Sequence, residues 1–244
     1  MNRATHAIIM AAGRGERLRP VTDATPKPLV PVNGVRMLDT IISALHQNGI
    51  YEIYVVVGYL KEQFADLPAQ YPGLRLIENP DWDRANNISS LYYAREQLGS
   101  CIILDGDQII RNPAILKPEF ERSCYCARWT DTPTHEWLLT LEDGVVTACA
   151  RDGGASGWAL CSVSLWSRED GARLRDHLER EYVEKGSTGL YWDDVALFCY
   201  PEAYRLGVRP ITDGDLTEID SLEELRAFEQ RDKPASRKST FKKV

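Results

Sequence analysis

The hydrophobic positions of this 244-residue chain fall into short runs separated by polar or glycine-rich segments. His6–Met10, Glu52–Val57 and Cys101–Leu104 are apolar on successive positions, as in parallel strands covered on both faces, and Leu74–Glu78 reads as a further strand. Between them the spacing changes to that of helices. Met37–Asn48 places Leu38, Ile41, Ile42 and Leu45 on one face and ends at Gly49, a residue suited to the position just past a helix. Lys61–Tyr71 is helical around Pro68, and Ser89–Leu98 is another helix. This alternation over residues 1–107 predicts an α/β fold with a doubly wound, mostly parallel sheet.

The second half has a different texture. Tyr125–Trp129, Trp137–Leu141 and Val145–Cys149 are short strands, the last two joined by the hairpin signal Glu142-Asp143-Gly144. They predict a small mixed β subregion. Arg168–Glu184 is a charged amphipathic helix, and Ser221-Leu222-Glu223-Glu224 is a capping box that opens a final helix to about Gln230. With no repeat and no internal linker, residues 1–230 read as one domain and 231–244 as a basic, flexible tail or a truncated linker.

Composition narrows the function. Hydrophobic residues make up 43% and charged residues 27%, enough apolar material for a sizeable core. No apolar run reaches the roughly 18 residues of a membrane span, so no membrane partner is expected. The stretch Ala7–Ala12 is too short for a signal sequence and is followed at once by arginines, so the expected location is cytoplasmic. A net charge of −7 argues against nucleic acid as a partner, and the body is more acidic still, because residues 231–244 hold six Lys/Arg against one Asp. Any phosphorylated ligand therefore requires positive charge concentrated in one place. The six cysteines form no C-x-x-C and read as buried free thiols, the four histidines are scattered, and Gly154-Ala155-Ser156-Gly157-Trp158 fails the serine-hydrolase elbow at its last position.

That concentration of charge lies after the first strand. Ala11-Ala12-Gly13-Arg14-Gly15-Glu16-Arg17-Leu18-Arg19-Pro20 combines small residues, which let backbone N–H groups approach an anion, with three arginines. It lacks the Gly-Lys-Ser/Thr of a Walker loop, and Leu18 replaces the third glycine of a dinucleotide fingerprint. Downstream, Pro26-Lys27-Pro28 fixes the backbone around a lysine. Asp105-Gly106-Asp107 closes a buried strand, at the end where open α/β sheets place their ligands, and one of its carboxylates can bind Mg²⁺. Asp220 precedes the last helix, where an aspartate can also be an N-cap.

Gly13-Arg14-Gly15-Glu16-Arg17 together with Pro26-Lys27-Pro28 resembles the G-x-G-x-R…P-K-P signature of the nucleotide-diphospho-sugar pyrophosphorylase superfamily, with its Rossmann-like nucleotidyltransferase fold. The resemblance implies that Ala11, Ala12, Gly13, Arg14 and Gly15 cradle a nucleoside triphosphate and that Lys27, Arg14 and Arg17 stabilise charge at its phosphates. It further implies that Asp107, rather than Asp105, and Asp220 in Glu218-Ile219-Asp220 hold Mg²⁺. Asn86-Asn87-Ile88-Ser89-Ser90, His135-Glu136-Trp137-Leu138 and Leu190-Tyr191-Trp192-Asp193 resemble the CTP:phosphocholine cytidylyltransferases of bacterial lic pathways, over nearly all of residues 5–230. Asn87 then reads the base, or Asn86 and Asn87 cap the following helix.

The chemistry of a quaternary ammonium fits this resemblance. Such a group has no N–H to donate, so aromatic faces and nearby carboxylates must hold it. Trp137, Tyr191 and Trp192 supply faces, and Glu136, Asp193 or Asp194 supply charge. The expected reaction is Mg²⁺-dependent transfer of CMP from CTP to phosphocholine, and the expectation admits a homodimer. The alternatives are phosphoethanolamine or 2-aminoethylphosphonate as acceptor, whose primary ammonium calls for more carboxylate and fewer rings, and a sugar 1-phosphate. A catalytically dead nucleotide sensor is disfavoured because Lys27, Asp107 and Asp220 are all present.

Overall fold

The apolar runs assemble around β1 (His6–Ala11), whose residues from Ala7 onward are all buried. The structure, a computed structural model, describes residues 1–231, and the tail expected from residue 232 onward lies outside the described residues. Strand β1 is paired in parallel with β2 (Glu52–Val57) on one side. Beyond β2 lies β3 (Leu74–Glu78), and β4 (Cys101–Asp105) flanks β1 on its other side, both pairings again parallel. The spatial order is therefore β3-β2-β1-β4. The direction of winding reverses between β1 and β4, and at such a reversal the loops leaving the carboxyl ends diverge and open a crevice.

The two faces of β1 feed different cores. Ala7, Ile9 and Ala11 pack on the side of α1 (Met37–Gln47), with its Leu38, Ile41, Ile42 and Leu45. Ile8 and Met10 pack on the opposite side, with Ile88 and Leu91 of α2 (Ile88–Tyr93) and Leu174 and Leu178 of α3 (Arg168–Glu179). A strand buried on both faces has to be apolar at every position, which is why β1 carries no alternation.

The mixed half comprises β5 (Cys124–Thr130), β6 (Leu138–Glu142), β7 (Val145–Ala150), β8 (Gly157–Trp166) and β9 (Gly207–Pro210), which complete a nine-stranded sheet among the described residues. Asp143 and Gly144 both have positive φ, 49° and 72°, as the two-residue β6–β7 hairpin requires. Strand β8 joins the halves. One of its edges pairs with β5. Its other edge pairs first with β6, through Trp158 and Ala159, and then with β4, through Val163 to Trp166. The gap that separates β6 from β4 along this edge, at Leu160 to Ser162, opens one wall of a cavity described below.

Several elements differ from the sequence reading. Strand β8 is not among the predicted elements; Ser162 and Ser164 interrupt its apolar pattern. Residues 61–71 form a 3-10 turn (Lys61–Phe64) and a four-residue helix (Leu67–Gln70) with Pro68 in its first turn, instead of one helix. The predicted helix 89–98 is α2 followed by a 3-10 turn at Arg95–Gln97. The last helix, α4 (Leu222–Arg231), runs one residue past the predicted end, so Arg231 belongs to it and not to the tail.

Gly171, in the first turn of α3, would place a Cβ 2.3 Å from backbone atoms of Gly99, just ahead of β4. Helix propensity alone favours alanine by about 1 kcal/mol. Overpacking against backbone that cannot yield costs about 1–3 kcal/mol and outweighs it. Gly171→Ala is expected to lower unfolding free energy in urea titration, and unchanged or increased stability would mean that α3 can slide away from Gly99.

Candidate active site

The loop leaving β1 folds back on itself at Gly15, whose φ of +65° and position leave no room for a side chain: a Cβ would lie 3.0 Å from Cβ of Lys27. The Thr22 hydroxyl donates to the Gly15 carbonyl at 2.8 Å and holds this turn. Lys27 begins a 3-10 turn (Lys27–Leu29) between its two prolines, and only 7% of the residue is exposed. Its Nζ donates to Asp107 Oδ2 at 2.5 Å and to Asp220 Oδ1 at 2.8 Å. Burial by itself lowers a lysine pKa, but the two carboxylates outweigh it and raise the ammonium above its ordinary value.

Asp107 reaches Lys27 because Gly106 lets the end of β4 approach β1 closely. The Gly106 N–H donates to the Met10 carbonyl at 2.8 Å, and a Cβ on Gly106 would lie 3.0 Å from Pro28 Cγ. Asp220 stands just before α4, yet it does not cap the helix. Ser221 accepts from the Glu224 N–H at 3.2 Å, while Glu224 Oε2 accepts from the N–H groups of Asp220 and Ser221. The Asp220 carboxylate is thereby left for the site, where Arg17 also donates to it at 2.9 Å.

A third carboxylate, which the sequence reading did not single out, joins these two. Glu218 ends a short strand (Leu216–Glu218) paired with Gln108, and one oxygen each of Asp107, Glu218 and Asp220 lie within 4.8 Å of one another. Its signal was its place two residues before Asp220, on the same extended segment. Burial, then repulsion from Asp107 and Asp220, holds the Glu218 carboxyl well above the usual carboxylate range. Asp105 is pushed up to about 7 by burial and by Asp107 beside it. Asp107 Oδ1 is buried and has no hydrogen-bond partner. Three clustered carboxylates with an unpartnered buried oxygen among them form an oxygen-only donor set, which fits a hard divalent cation such as Mg²⁺.

Two cavities meet at this cluster. The larger, about 570 Å³, is lined by Ala11, Ala12, Gly13, Gly15, Lys27 and Asn87, among others. The smaller, about 260 Å³, lies in the gap between β4 and β6 and includes Glu136, Trp137, Tyr191 and Asp193. Asp105, Asp107, Asp220, Arg17 and Asn87 line both. Trp137 and Tyr191 meet at right angles, with ring centroids 5.8 Å apart. Asp193 is buried beside the Tyr125 hydroxyl, and burial, followed by the neighbouring Asp105 carboxylate, holds its carboxyl well above the ordinary range.

Four of the expected placements need correction. Trp192 is 3% exposed and packs in the core against Tyr125 and Trp166, so its ring is unavailable to a ligand. Asp194 is equally buried and is committed to Arg151 and to the Tyr191 N–H, which leaves it no acceptor to offer. Arg14 lines neither cavity, because its guanidinium rests on the rings of Tyr59 and Trp82. Asn87 uses its carboxamide oxygen to accept from the Trp192 N–H at 2.9 Å instead of capping α2.

Comparisons with known proteins find chains similar in sequence and in fold. The nucleotidyl transferase family profile matches residues 6–122. A 2-aminoethylphosphonate cytidylyltransferase of Lancefieldella rimae is 40% identical over 227 residues, which span 92% of each protein. A choline-phosphate cytidylyltransferase of Streptococcus pneumoniae is 33% identical over 92% of this chain and 96% of its own. The solved structure of a CTP:phosphocholine cytidylyltransferase from Streptococcus pneumoniae superposes with a TM-score of 0.87, covering 94% of this chain and 99% of that one.

Removing the Lys27 ammonium leaves the three carboxylates without their shared counter-charge. Breaking a fully buried pair costs about 3–5 kcal/mol, and since Asp107 and Asp220 retain some solvent contact a loss of about 2 kcal/mol is expected for Lys27→Met. With the lysine pKa raised above 10.5, this contribution is present throughout the neutral range and is lost only as pH rises through the folded value. Millimolar Mg²⁺ should restore part of the lost stability in thermal unfolding. A variant as stable as the wild type, or one indifferent to Mg²⁺, contradicts the assignment.

Proposed function

The chain belongs to the nucleotidyl transferase family, in its cytidylyltransferase branch, and from that premise we propose that it transfers CMP from CTP to a small acceptor bearing a phosphonate or phosphate at one end and a primary ammonium at the other. 2-Aminoethylphosphonate is the acceptor that fits this description best. The observation that carries the choice is Asp193, a buried carboxylate that lines the smaller cavity with only the Tyr125 hydroxyl beside it and no cation. A primary ammonium brings N–H donors for such a carboxylate, whereas a trimethylammonium brings none.

The surroundings favour the same choice. Asp105 and Glu136 add carboxylates to the cavity. Trp137 already stacks against a cation, the Arg151 guanidinium, at 4.9 Å from its ring centroid. A ring already engaged in this way has less to offer a quaternary ammonium. The relative from Lancefieldella rimae, at 40% identity, carries the matching name. The second reading, phosphocholine, rests on the right-angled Trp137–Tyr191 wall and on the pneumococcal relatives.

In this reading the triphosphate lies in the larger cavity along Ala11–Gly15, with backbone N–H groups facing its oxygens. An anionic oxygen of the acceptor's phosphonate forms a new bond to the α-phosphorus, the bond from that phosphorus to the α–β bridging oxygen breaks, and the electron pair departs with pyrophosphate. The acceptor is ionised at neutral pH, so no protein nucleophile or general base is required. Lys27 and Arg17 stabilise the charge that grows on the phosphates, and the rate enhancement comes from positioning and electrostatics. Asp107, Glu218 and Asp220 would hold Mg²⁺, which supplies Lewis-acid charge to phosphate oxygens.

Pyrophosphate release measured for four nucleoside triphosphates against 2-aminoethylphosphonate, phosphoethanolamine, phosphocholine and glucose 1-phosphate tests the proposal. CTP with 2-aminoethylphosphonate should give the highest kcat/KM. A higher value for phosphocholine transfers the assignment to the second reading. Asp193→Asn keeps the shape of the side chain but removes its charge. A charge-assisted hydrogen bond contributes about 1.5–3 kcal/mol, so KM for the aminophosphonate should rise by about ten- to a hundredfold with KM for CTP unchanged. Equal weakening of both substrates would assign Asp193 to the architecture of the site and not to acceptor recognition.

A further inference from the structure

Arg14 belongs to the nucleotide loop by sequence but not by contact. Its Cζ lies 5.4 Å from the ring centroid of Trp82 and 5.6 Å from that of Tyr59, two rings that themselves pack 5.4 Å apart. The berth exists because residue 58 is glycine: a Cβ there would fall 2.6 Å from Cβ of Trp82. Trp82 is thus seated directly over the end of β2, with Arg14 above the paired rings.

Tyr59 connects this berth to the rest of the loop. Its backbone N–H donates to the Ala12 carbonyl at 3.0 Å, on the segment leaving β1. Its hydroxyl donates to the Thr22 carbonyl at 2.9 Å, on the segment returning from the turn. The Thr22 hydroxyl in turn donates to the Gly15 carbonyl at 2.8 Å, and Gly15 lies against the Lys27 stem. Both limbs of the glycine turn, together with the packing surface under the Lys27 side chain, are therefore tied to one tyrosine. Arg14 adds a third tie at the apex, between the two limbs.

We propose that Tyr59 and Trp82 are positioning residues for the nucleotide loop, and that Arg14 is the anchor they grip, not a ligand of the triphosphate. The proposal concerns the nucleotide side of the site and is independent of which acceptor is used. Loop conformation governs how many backbone N–H groups meet the phosphates at once, so loosening the anchor weakens CTP binding more than it slows the chemical step. The Lys27 ammonium retains its own hold on Asp107 and Asp220, which keeps the reacting centre in place.

The test is a double-mutant cycle on the intact chain with CTP and its acceptor. Arg14→Ala and Trp82→Leu should each raise KM for CTP by about tenfold, the size of a cation–π contact partly shielded from water, with kcat changed less than about threefold. The double variant should be no worse than either single one, and Trp82→Phe, which keeps a ring, should recover most of the affinity. The salt dependence of CTP binding in Arg14→Ala should match the wild type, since no phosphate contact has been removed. Multiplicative losses in the double variant would overturn the proposal. So would a loss in Arg14→Ala that Trp82→Leu does not reproduce, or a weakened salt dependence that marks Arg14 as a phosphate ligand. If Trp82→Leu fails to fold, Tyr59→Phe keeps both rings and removes only the bond to Thr22. It should raise KM for CTP while leaving the unfolding midpoint close to that of the wild type, and an unchanged KM there overturns the proposal equally.

Discussion

The bridge from Lys27 to Asp107 and Asp220 is the constraint around which the rest of the site is arranged. It joins three distant parts of the chain: residue 107 is 80 positions from Lys27 and residue 220 is 193 positions away. A lysine this buried is stable as an ammonium only when carboxylates meet it, and carboxylates this crowded are stable as anions only when a cation meets them. Each requirement has left its mark on the backbone. Prolines fix the lysine, Gly15 and Gly106 clear the space for close approach, and Ser221 takes over the helix cap so that Asp220 is free to turn inward.

The sheet explains why these groups face two cavities. Reversal of winding between β1 and β4 opens a crevice at their carboxyl ends, where loop and lysine meet. The passage of β8 from β6 to β4 opens a second space on the far side of the same carboxylates. In the proposed reaction a donor in one cavity and an acceptor in the other meet at Asp107 and Asp220. Transfer between two bound anions needs this arrangement more than it needs a reactive side chain, because the barrier is dominated by bringing like charges together and neutralising them.

Much of this was legible in the residues. The parallel strands were evident because burial on both faces removes all alternation, and the glycine loop and the lysine between prolines were evident because few other roles require those residues in that order. What escaped was set by tertiary context. The two serines of β8, Ser164 buried in the sheet and Ser162 at the smaller cavity, break the apolar pattern by which a strand is read from sequence. Trp192 and Tyr191 are adjacent in the chain, yet one is in the core and the other is half exposed at the cavity, because Tyr191 is the extended N-cap and Trp192 opens the three-residue helix. Glu218 looked ordinary until the strand carrying it paired with Gln108. Arg14 sits in a phosphate-loop motif, and nothing local announces that Gly58 has made room for Trp82, one of the two rings that hold it.

In the proposed reaction Lys27 acts as a compact point charge at the phosphates. Lys27→Arg keeps the charge but replaces the ammonium with a planar fork that the space among Gly15, Asp107 and Asp220 does not accommodate. The decisive measurement is the single-turnover rate of pyrophosphate release at saturating CTP, acceptor and Mg²⁺, together with the dissociation constant for CTP. The rate should fall by about a hundredfold or more while CTP affinity falls by less than about tenfold, the pattern of a contact that strengthens in the transition state. A rate equal to that of the wild type would remove Lys27 from the chemistry and contradict the account at its centre.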